Sequence, residues 1–391
     1  MQIENKKPLI VHFSQSDLLN ASRIFKEAKS ISEVFKDHKI YLLGFWRKGL
    51  EEQNDINENV TIIRVKTFFK FRPKNQFTRI CLMVEYFVRI ITLFRRKDIV
   101  VVQPHSVETL PLAVIFKIFI KKNVKIVYDA HELETEKSKK PYMNLVYKLI
   151  EKILIKYPDS ILVVGDKIKD HYQMIYGDLQ NIAVIRNIPA INQNEVMPKE
   201  SFLKNKFGLS SRDILFIYQG ALEKNRGIEV LLRVFSQVKD KHVVFMGFGS
   251  MENMIKEFSL DNKNIHFHPA ISPRDVLSYT SGADVGFSIL DNSCLNHYYC
   301  LPNKFFEYIL AGIPVIASNF PELAKIIDDY GLGWKVLPNE KNVFTLINNI
   351  NKQDILSKRQ HAVAARSMFN WNQEARKLID TYNNLIAIKN T

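Results

Sequence analysis

Short runs of β-branched and aliphatic residues recur along nearly the whole chain, and helical patterns of roughly 10–20 residues separate most of them. In the first half the runs are Leu9–Phe13, Ile40–Phe45, Val60–Val65, Ile99–Gln103, Val124–Asp129, Ile161–Val164 and Ala183–Ile185. In the second half they are Ile214–Tyr218, Val243–Met246, Ile265–Phe267, Asp284–Ile289 and Pro314–Ala317. A strand that is apolar on both faces has to be covered on both faces. Helices between such strands supply that cover when the sheet is parallel. The expected fold is α/β, with two doubly wound, Rossmann-like halves facing a central cleft.

The rhythm pauses at Asn187–Lys199, a stretch with two prolines, three asparagines and no periodicity. It reads as an interdomain linker. The chain has 391 residues, which suits two or three domains. The expected division is residues 1–190, then 191–371, with a terminal helix over 372–391. That helix places Trp371, Ala375, Leu378, Ile379, Tyr382, Leu385 and Ile386 broadly on one face. No tandem repeat is evident.

Composition narrows the class. With 46% hydrophobic and 25% charged residues the chain can bury a large core, so disorder is excluded as its main state. Three cysteines (Cys81, Cys294, Cys300) cannot build a disulfide framework, which points to a reducing compartment. The first residues lack the apolar stretch of a signal peptide. No run approaches ~18 uncharged apolar residues, so no spanning helix is expected. The net charge is +14 and lies mainly in residues 1–190, with 32 Lys+Arg against 21 Asp+Glu. In residues 64–97, ten basic residues face one acid, Glu85. Phe68, Phe69 and Phe71 interleave with Lys70, Arg72 and Lys74, and Arg79 follows. Aromatics beside cations suit an anionic membrane interface. Phe77, Ile80, Cys81, Val84, Phe87, Val88, Ile91 and Phe94 recur at helix spacing and predict a core-facing helix.

In open parallel sheets, ligands sit outside the carboxyl ends of the strands. The chemistry is therefore sought in the loops that follow strands. The most informative stretch is Cys300-Leu-Pro-Asn-Lys-Phe-Phe-Glu-Tyr-Ile-Leu-Ala-Gly. Pro302 suits a helix start and Gly312 its end, which predicts a helix near 303–311. Its N-terminus offers free N–H groups to a phosphate. Lys304 in its first turn is unfavourable unless an anion is present. Glu307, one turn on, can accept hydrogen bonds from ribose hydroxyls. A second junction, Tyr218-Gln-Gly-Ala-Leu-Glu-Lys-Asn-Arg-Gly, ends a strand at Gly220 and opens a helix at Arg226-Gly227. It also suits a diphosphate. The Met246-Gly-Phe-Gly-Ser turn, with Gly247, is similarly permissive.

Together these stretches resemble glycosyltransferase family 4, retaining enzymes of the GT-B fold. The segments YQGALEKNRGIEVLL, VVFMGFGS, DVGFSIL and LPNKFFEYILAGIPVIASNFPEL carry most of the resemblance. VVVQPHSVETLPLA, KIVYDAHELE and the tail FNWNQEARKLIDTYNNL extend it over nearly the whole chain. The resemblance implies a nucleotide-sugar donor on the second domain, an acceptor on the first, and a closing helix that returns to the first domain. It places Glu307 on the donor ribose, Arg226 on the phosphates, and Lys304 and Asn303 beside diphosphate and sugar. Gly220, Gly247 and Glu322 complete the implied donor set. His105 matches a histidine near the sugar. Asp129, His131, Glu132 and Ser14 stand where the acceptor is expected.

Three departures stand out. Tyr299 occupies the position of the first Glu in the family's Glu–seven residues–Glu element, so Asn296, Tyr298 or Tyr299 itself would take over that contact. Ala221 replaces the usual loop Arg. Ser14-Gln-Ser-Asp replaces the glycine-rich loop after the first strand.

Breaking a sugar–phosphate bond builds negative charge on the leaving diphosphate. Arg226, Lys304 and helix N–H groups would stabilise that charge without a divalent metal. No metal or other cofactor is expected; Cys294, His297 and Cys300 offer three ligands where structural zinc takes four. The expected function is sugar transfer from a nucleoside-diphosphate sugar, UDP-linked ahead of GDP-linked. The acceptor is a glycan or lipid-linked molecule in bacterial surface polysaccharide synthesis (O-antigen or capsule). The enzyme would lie on the cytoplasmic face of the inner membrane. A nucleotide-sugar epimerase is the alternative. A nucleic-acid binder is a remote one, since no helix-turn-helix, RNA-binding aromatic motif or zinc-finger spacing occurs.

Overall fold

The computed structural model describes residues 7–71, 75–136, 141–179, 181–190 and 202–387. Its contacts divide the chain into two units, Met1–Ile185 with Ala375–Thr391, and Arg186–Glu374. The expected linker falls mostly outside the described residues, as do Arg72 and Lys74 of the basic stretch.

The first unit is built on one sheet of eight strands: β1 (Leu9–Phe13), β2 (Lys39–Phe45), β3 (Gln53–Asn57), β4 (Val60–Val65), β5 (Ile99–Pro104), β6 (Lys125–Ala130), β7 (Ser160–Val163) and β8 (Ile182–Val184). Their order is β3-β4-β2-β1-β5-β6-β7-β8. All neighbours run parallel except β3, which is antiparallel to β4. Residues of β1, β2, β4 and β5 are buried throughout, as strands covered on both faces must be, polar positions such as His12, Arg64 and Gln103 included. The strand β3, Gln-Asn-Asp-Ile-Asn, is polar and lies at the sheet edge. It has no apolar pattern, so sequence periodicity does not reveal it.

The second unit has six parallel strands: β9 (Ile214–Ala221), β10 (Lys241–Phe248), β11 (Ile265–Pro269), β12 (Val285–Ser288), β13 (Val315–Ser318) and β14 (Gly333–Val336). Their order is β11-β10-β9-β12-β13-β14. The edge strand β14, Gly-Trp-Lys-Val, was not expected; its half-exposed middle again lacks a run of apolar residues.

Both sheets reverse their winding once. In the first, successive strands move outward from β1 and then resume on its other side at β5. In the second, the reversal lies between β9 and β12. Such switch points leave a crevice at the carboxyl ends of the two flanking strands. The terminal helix Trp371–Ala387 joins the first unit through Tyr382, whose buried hydroxyl donates to the side chain of Gln103 on β5.

The helix Gln76–Phe94 corrects one expectation. Asn75 and Thr78 cap it reciprocally, with Thr78 N donating to Asn75 Oδ1 at 2.8 Å. Its buried residues are Tyr86, Ile90 and Phe94. Of the apolar positions expected to face the core, only Phe94 is buried. Phe77, Ile80, Val84 and Val88 are exposed, Phe77 at 71%. The helix is apolar on two faces, and the sheet covers one of them.

Candidate functional site

In the second unit, the polar side chains gather at the β9/β12 switch point. Helix Asn303–Ala311 follows Pro302 and stops at Gly312, whose φ of +75° favours glycine. Tyr308 anchors this helix. Its hydroxyl accepts from Gln219 N at 3.1 Å and donates to Phe287 O at 3.1 Å, bridging β9 and β12. The ring lies so close to Gly286 that a Cβ there would meet it at 2.4 Å. Anchored in this way, the helix turns Lys304 and Glu307 toward the end of β9.

Lys304 is 7% exposed, and its Nζ has no hydrogen-bond partner. The ammonium lies 3.5 Å from the centroid of the Tyr218 ring. Burial, and then Arg226, push its pKa well below the usual lysine value. A buried unpaired cation is unfavourable by several kcal/mol unless something neutralises it. Arg226, half-buried, has no ion-pair partner among the described residues either. Two cations, neither held in an ion pair among the described residues, converge near a helix N-terminus and form a site for a doubly charged anion. Glu307 lies in the same group. Its Oε2 accepts from Gln219 Nε2 at 2.6 Å, and burial raises its pKa.

The rest of the expected donor set is spread around this core. Asn303 is exposed at the helix start. Gly247 pairs with Gly220 across β9 and β10, and a Cβ on it would meet Gly220 O at 1.9 Å. Gly247 therefore serves backbone packing, while Gly220, with φ +101° and open space, lets the loop turn. Glu322 is buried in the first turn of helix Pro321–Tyr330. Tyr299 follows the short helix Leu295–Tyr298, with its ring 5.4 Å from that of Tyr298. Cys300 donates to His297 O at 3.1 Å, and His297 Nδ1 faces Ser293 Oγ at 3.0 Å. Cys294, His297 and Cys300 are not among the described residues whose metal-ligand atoms group together.

In the first unit, a buried network sits at the β1/β5 switch point. His12 Nδ1 lies 2.9 Å from His105 Nε2, and His105 Nδ1 lies 2.9 Å from Asp129 Oδ2. Arg23 grips Asp129 through Nε at 3.1 Å and Nη2 at 2.8 Å, and also meets Glu27 at 2.9 Å. Gln103 Nε2 donates to Glu27 Oε2 at 2.8 Å. Burial raises the Asp129 carboxyl, but Arg23 and then His131 outweigh it and hold the pKa well below the carboxylate range. Burial pulls His105 down to about 4. His105 is therefore neutral at pH 7, donates Nδ1–H to Asp129, and accepts at Nε2 from His12.

Both ring nitrogens of His105 are thus used within its own domain. Asp129 is also fully engaged. His131 is the half-exposed member: its Nε2 faces Asp129 Oδ2 at 2.8 Å, and Asp129 raises its pKa against the effect of burial. Glu132 beside it is exposed. Ser14 is buried, with its hydroxyl in the turn at 3.0 Å from Ser16 Oγ. His12, Arg23, Glu27 and Gln103 were not expected. The available signal was a polar residue interrupting an apolar strand, as in Leu-Ile-Val-His-Phe and Ile-Val-Val-Val-Gln.

His105, Asp129 and His131 are the one trio among the described residues with metal-ligand atoms grouped together. The fit to a divalent cation is poor. Arg23 already occupies both oxygens of Asp129 and would repel a second cation.

The basic stretch is partly neutralised. Arg64 is buried, bonded to Asp17 O at 2.8 Å and Asn54 Oδ1 at 2.8 Å. Lys66 pairs with Glu52, and Arg89 with Glu85. Lys70 is half-buried, 4.9 Å from the Phe45 ring centroid, and Arg79 is exposed.

Residues 213–352, which carry the Lys304 site, match the family model described as Glycosyl transferases group 1. Chitobiosyldiphosphodolichol beta-mannosyltransferase of Debaryomyces hansenii is 21% identical, over 95% of this chain and 86% of its own length. Sucrose-phosphate synthase of Thermosynechococcus elongatus shares the fold with a TM-score of 0.80 at 14% identity, covering 98% of this chain and 100% of that one. Anabaena HepE, solved in complex with UDP and glucose, has a TM-score of 0.72 at 13% identity, covering 96% and 100%. Two Rossmann-like domains and the match over residues 213–352 lead to one conclusion: the chain is a glycosyltransferase of the GT-B fold, similar over that segment to Glycosyl transferases group 1.

Proposed function

We propose that this glycosyltransferase is a retaining, family 4 enzyme that uses a nucleoside-diphosphate sugar, UDP-linked ahead of GDP-linked. The observation that carries the donor reading is Lys304, a buried ammonium with no partner, beside Arg226 at a helix N-terminus. A diphosphate would neutralise both cations. As the glycosidic bond breaks, charge grows on the leaving phosphate, and Lys304, Arg226 and the helix N–H groups stabilise it where it develops. These protein groups make a divalent metal unnecessary. Glu307 takes the ribose hydroxyls. The acceptor oxygen bonds to the anomeric carbon on the face from which the phosphate leaves, its proton passes to that phosphate, and the sugar keeps its anomeric configuration.

The acceptor is a glycan or lipid-linked molecule held by the first unit, with His131 and Glu132 as its accessible polar groups. The Debaryomyces relative, by its name, acts on a diphosphodolichol-linked chitobiose, which supports a lipid-linked acceptor here. The exposed apolar faces of helices Gln76–Phe94 and Pro141–Leu154, flanked by Lys70, Arg79 and Lys152, support docking on an anionic membrane surface. No helix among the described residues is long and apolar enough to cross a membrane. We place the enzyme on the cytoplasmic face of a bacterial inner membrane, in surface polysaccharide synthesis.

Thermal shift with UDP, GDP, ADP and CMP in EDTA tests the donor site. One nucleotide raising the melting temperature supports it. A shift that needs added magnesium rejects the metal-free reading. No shift with any nucleotide, repeated with vesicles present, rejects the donor site. The anomer of the product, read by NMR, decides retention.

A further inference from the structure

The carboxylate of Glu307 does not stand alone. Its Oε2 accepts from Gln219 Nε2 at 2.6 Å, while no described residue bonds Oε1. Gln219 is buried at the carboxyl end of β9, in register with Met246 on β10. Its backbone N–H donates to Tyr308 Oη at 3.1 Å, one residue along the helix from Glu307. Gln219 is thus tied to that helix by both backbone and side chain. Thr280, fully buried in helix Val276–Thr280, donates its hydroxyl to Gln219 Oε1.

The orientation of the Gln219 amide is tied to the charge of Glu307. The Thr280 hydroxyl has one proton and two acceptors in reach, Gln219 Oε1 and Val276 O, the latter at 2.7 Å. With the amide NH2 toward Glu307, the hydroxyl serves Gln219 Oε1 and the carboxylate is ionised. With the amide reversed, its oxygen would face Glu307 Oε2, two acceptors in contact. That arrangement is tolerable only if Glu307 carries a proton. A protonated Glu307 is a poorer acceptor for ribose hydroxyls. The Gln219 hydrogen bond favours the ionised carboxyl, opposing the burial that raises its pKa.

We infer that Gln219, with Thr280 behind it, is a positioning residue that fixes Glu307 so that Oε1 is the oxygen presented to the donor ribose. The inference rests on the donor-site reading above. It assigns a task to two residues with no ligand contact of their own.

The experiment is calorimetric binding of UDP and GDP to the full chain, followed by the 2′,3′-dideoxy analogue of the one that binds. The wild type should bind the dideoxy analogue roughly 10–100-fold more weakly, the loss of hydrogen bonds to a charged group. Gln219→Leu should bring the intact nucleotide down to the level of the dideoxy analogue and leave the analogue unchanged. Thr280→Val should do the same to a lesser degree, and Thr280→Ser should retain wild-type discrimination. Unchanged affinity for the dideoxy analogue also shows that each variant is folded. If Gln219→Leu weakens both ligands by the same factor, or still discriminates like the wild type, the positioning role is overturned. If the wild type itself binds both ligands equally, the ribose role of Glu307 fails, and the positioning role with it. The two failures differ in whether the wild type discriminates.

Discussion

The Lys304 ammonium lies 3.5 Å from the centroid of the Tyr218 ring, and no hydrogen-bond acceptor reaches it. The ring face offers a weak electrostatic contact in place of the solvation that burial removes. The free enzyme therefore carries an unfavourable group that a bound diphosphate would satisfy.

Removing that group should separate stability from function. Lys304→Met keeps the apolar stem and deletes the charge. We expect unfolding stability to rise by about 1 kcal/mol and kcat/KM to fall by about 10²–10³-fold. Chemical denaturation and steady-state kinetics read the two effects. Loss of stability together with activity would identify Lys304 as structural.

Nucleotide binding should also be linked to protons. Burial holds the folded pKa of Lys304 well below the usual lysine value of 10.5, and a bound diphosphate favours its charged form. UDP binding should then take up protons as the pH rises toward 10.5. Calorimetry in buffers of different ionisation enthalpy measures this uptake, and Lys304→Met should abolish it.

Acid should act on the first unit through His105. Its folded pKa is about 4 and its unfolded value about 6.5, because burial penalises the charge. Between those values the unfolded chain binds the proton that the folded chain refuses, so stability falls as pH drops through the window, by up to about 3 kcal/mol. Glu27, raised to about 7 by burial, works in the opposite sense between about 7 and 4.5. The difference between wild type and His105→Gln in urea melts from pH 7 to 4 isolates the histidine. Parallel curves would contradict the assignment.

Glu151 takes hydrogen bonds from three tyrosines, Tyr128 at 2.6 Å, Tyr172 at 2.6 Å and Tyr176 at 2.7 Å. It holds the otherwise exposed helix Pro141–Leu154 to its domain. Glu151→Ala leaves buried hydroxyls unpaired and should destabilise by about 3–5 kcal/mol, with Glu151→Gln less severe. Denaturant midpoints give the answer.

Membrane docking has its own test. Phe77→Ser with Ile80→Ser, and separately Lys70→Glu with Arg79→Glu, should each reduce flotation with anionic vesicles by roughly 10–100-fold while leaving the melting temperature unchanged. Equal flotation of all three proteins would remove these residues from the docking surface.

Much of the architecture was legible in the chain. Val60–Val65 and Leu9–Phe13 are legible to the residue, because a strand covered on both faces is apolar at most positions, with His12, Thr61 and Arg64 as buried exceptions. Helix Asn303–Ala311 was legible from Pro302 and Gly312. The edge strands β3 and β14 were not, since half-exposed strands impose no continuous apolar run. Nor could periodicity show that Phe77 and Ile80 face outward, since it reports that residues share a face and not what covers it.

The candidate site divides in the same way. Sequence determined that Lys304 and Glu307 share one helix start, since their spacing and Pro302 are local facts. Tertiary structure alone decided that Lys304 has no partner, that Gln219 and Thr280 stand behind Glu307, and that His12 and Arg23 enclose His105 and Asp129. Those contacts join residues 61 to 106 positions apart. Hydrogen bonds and desolvation act through distance in space, and sheet order sets that distance.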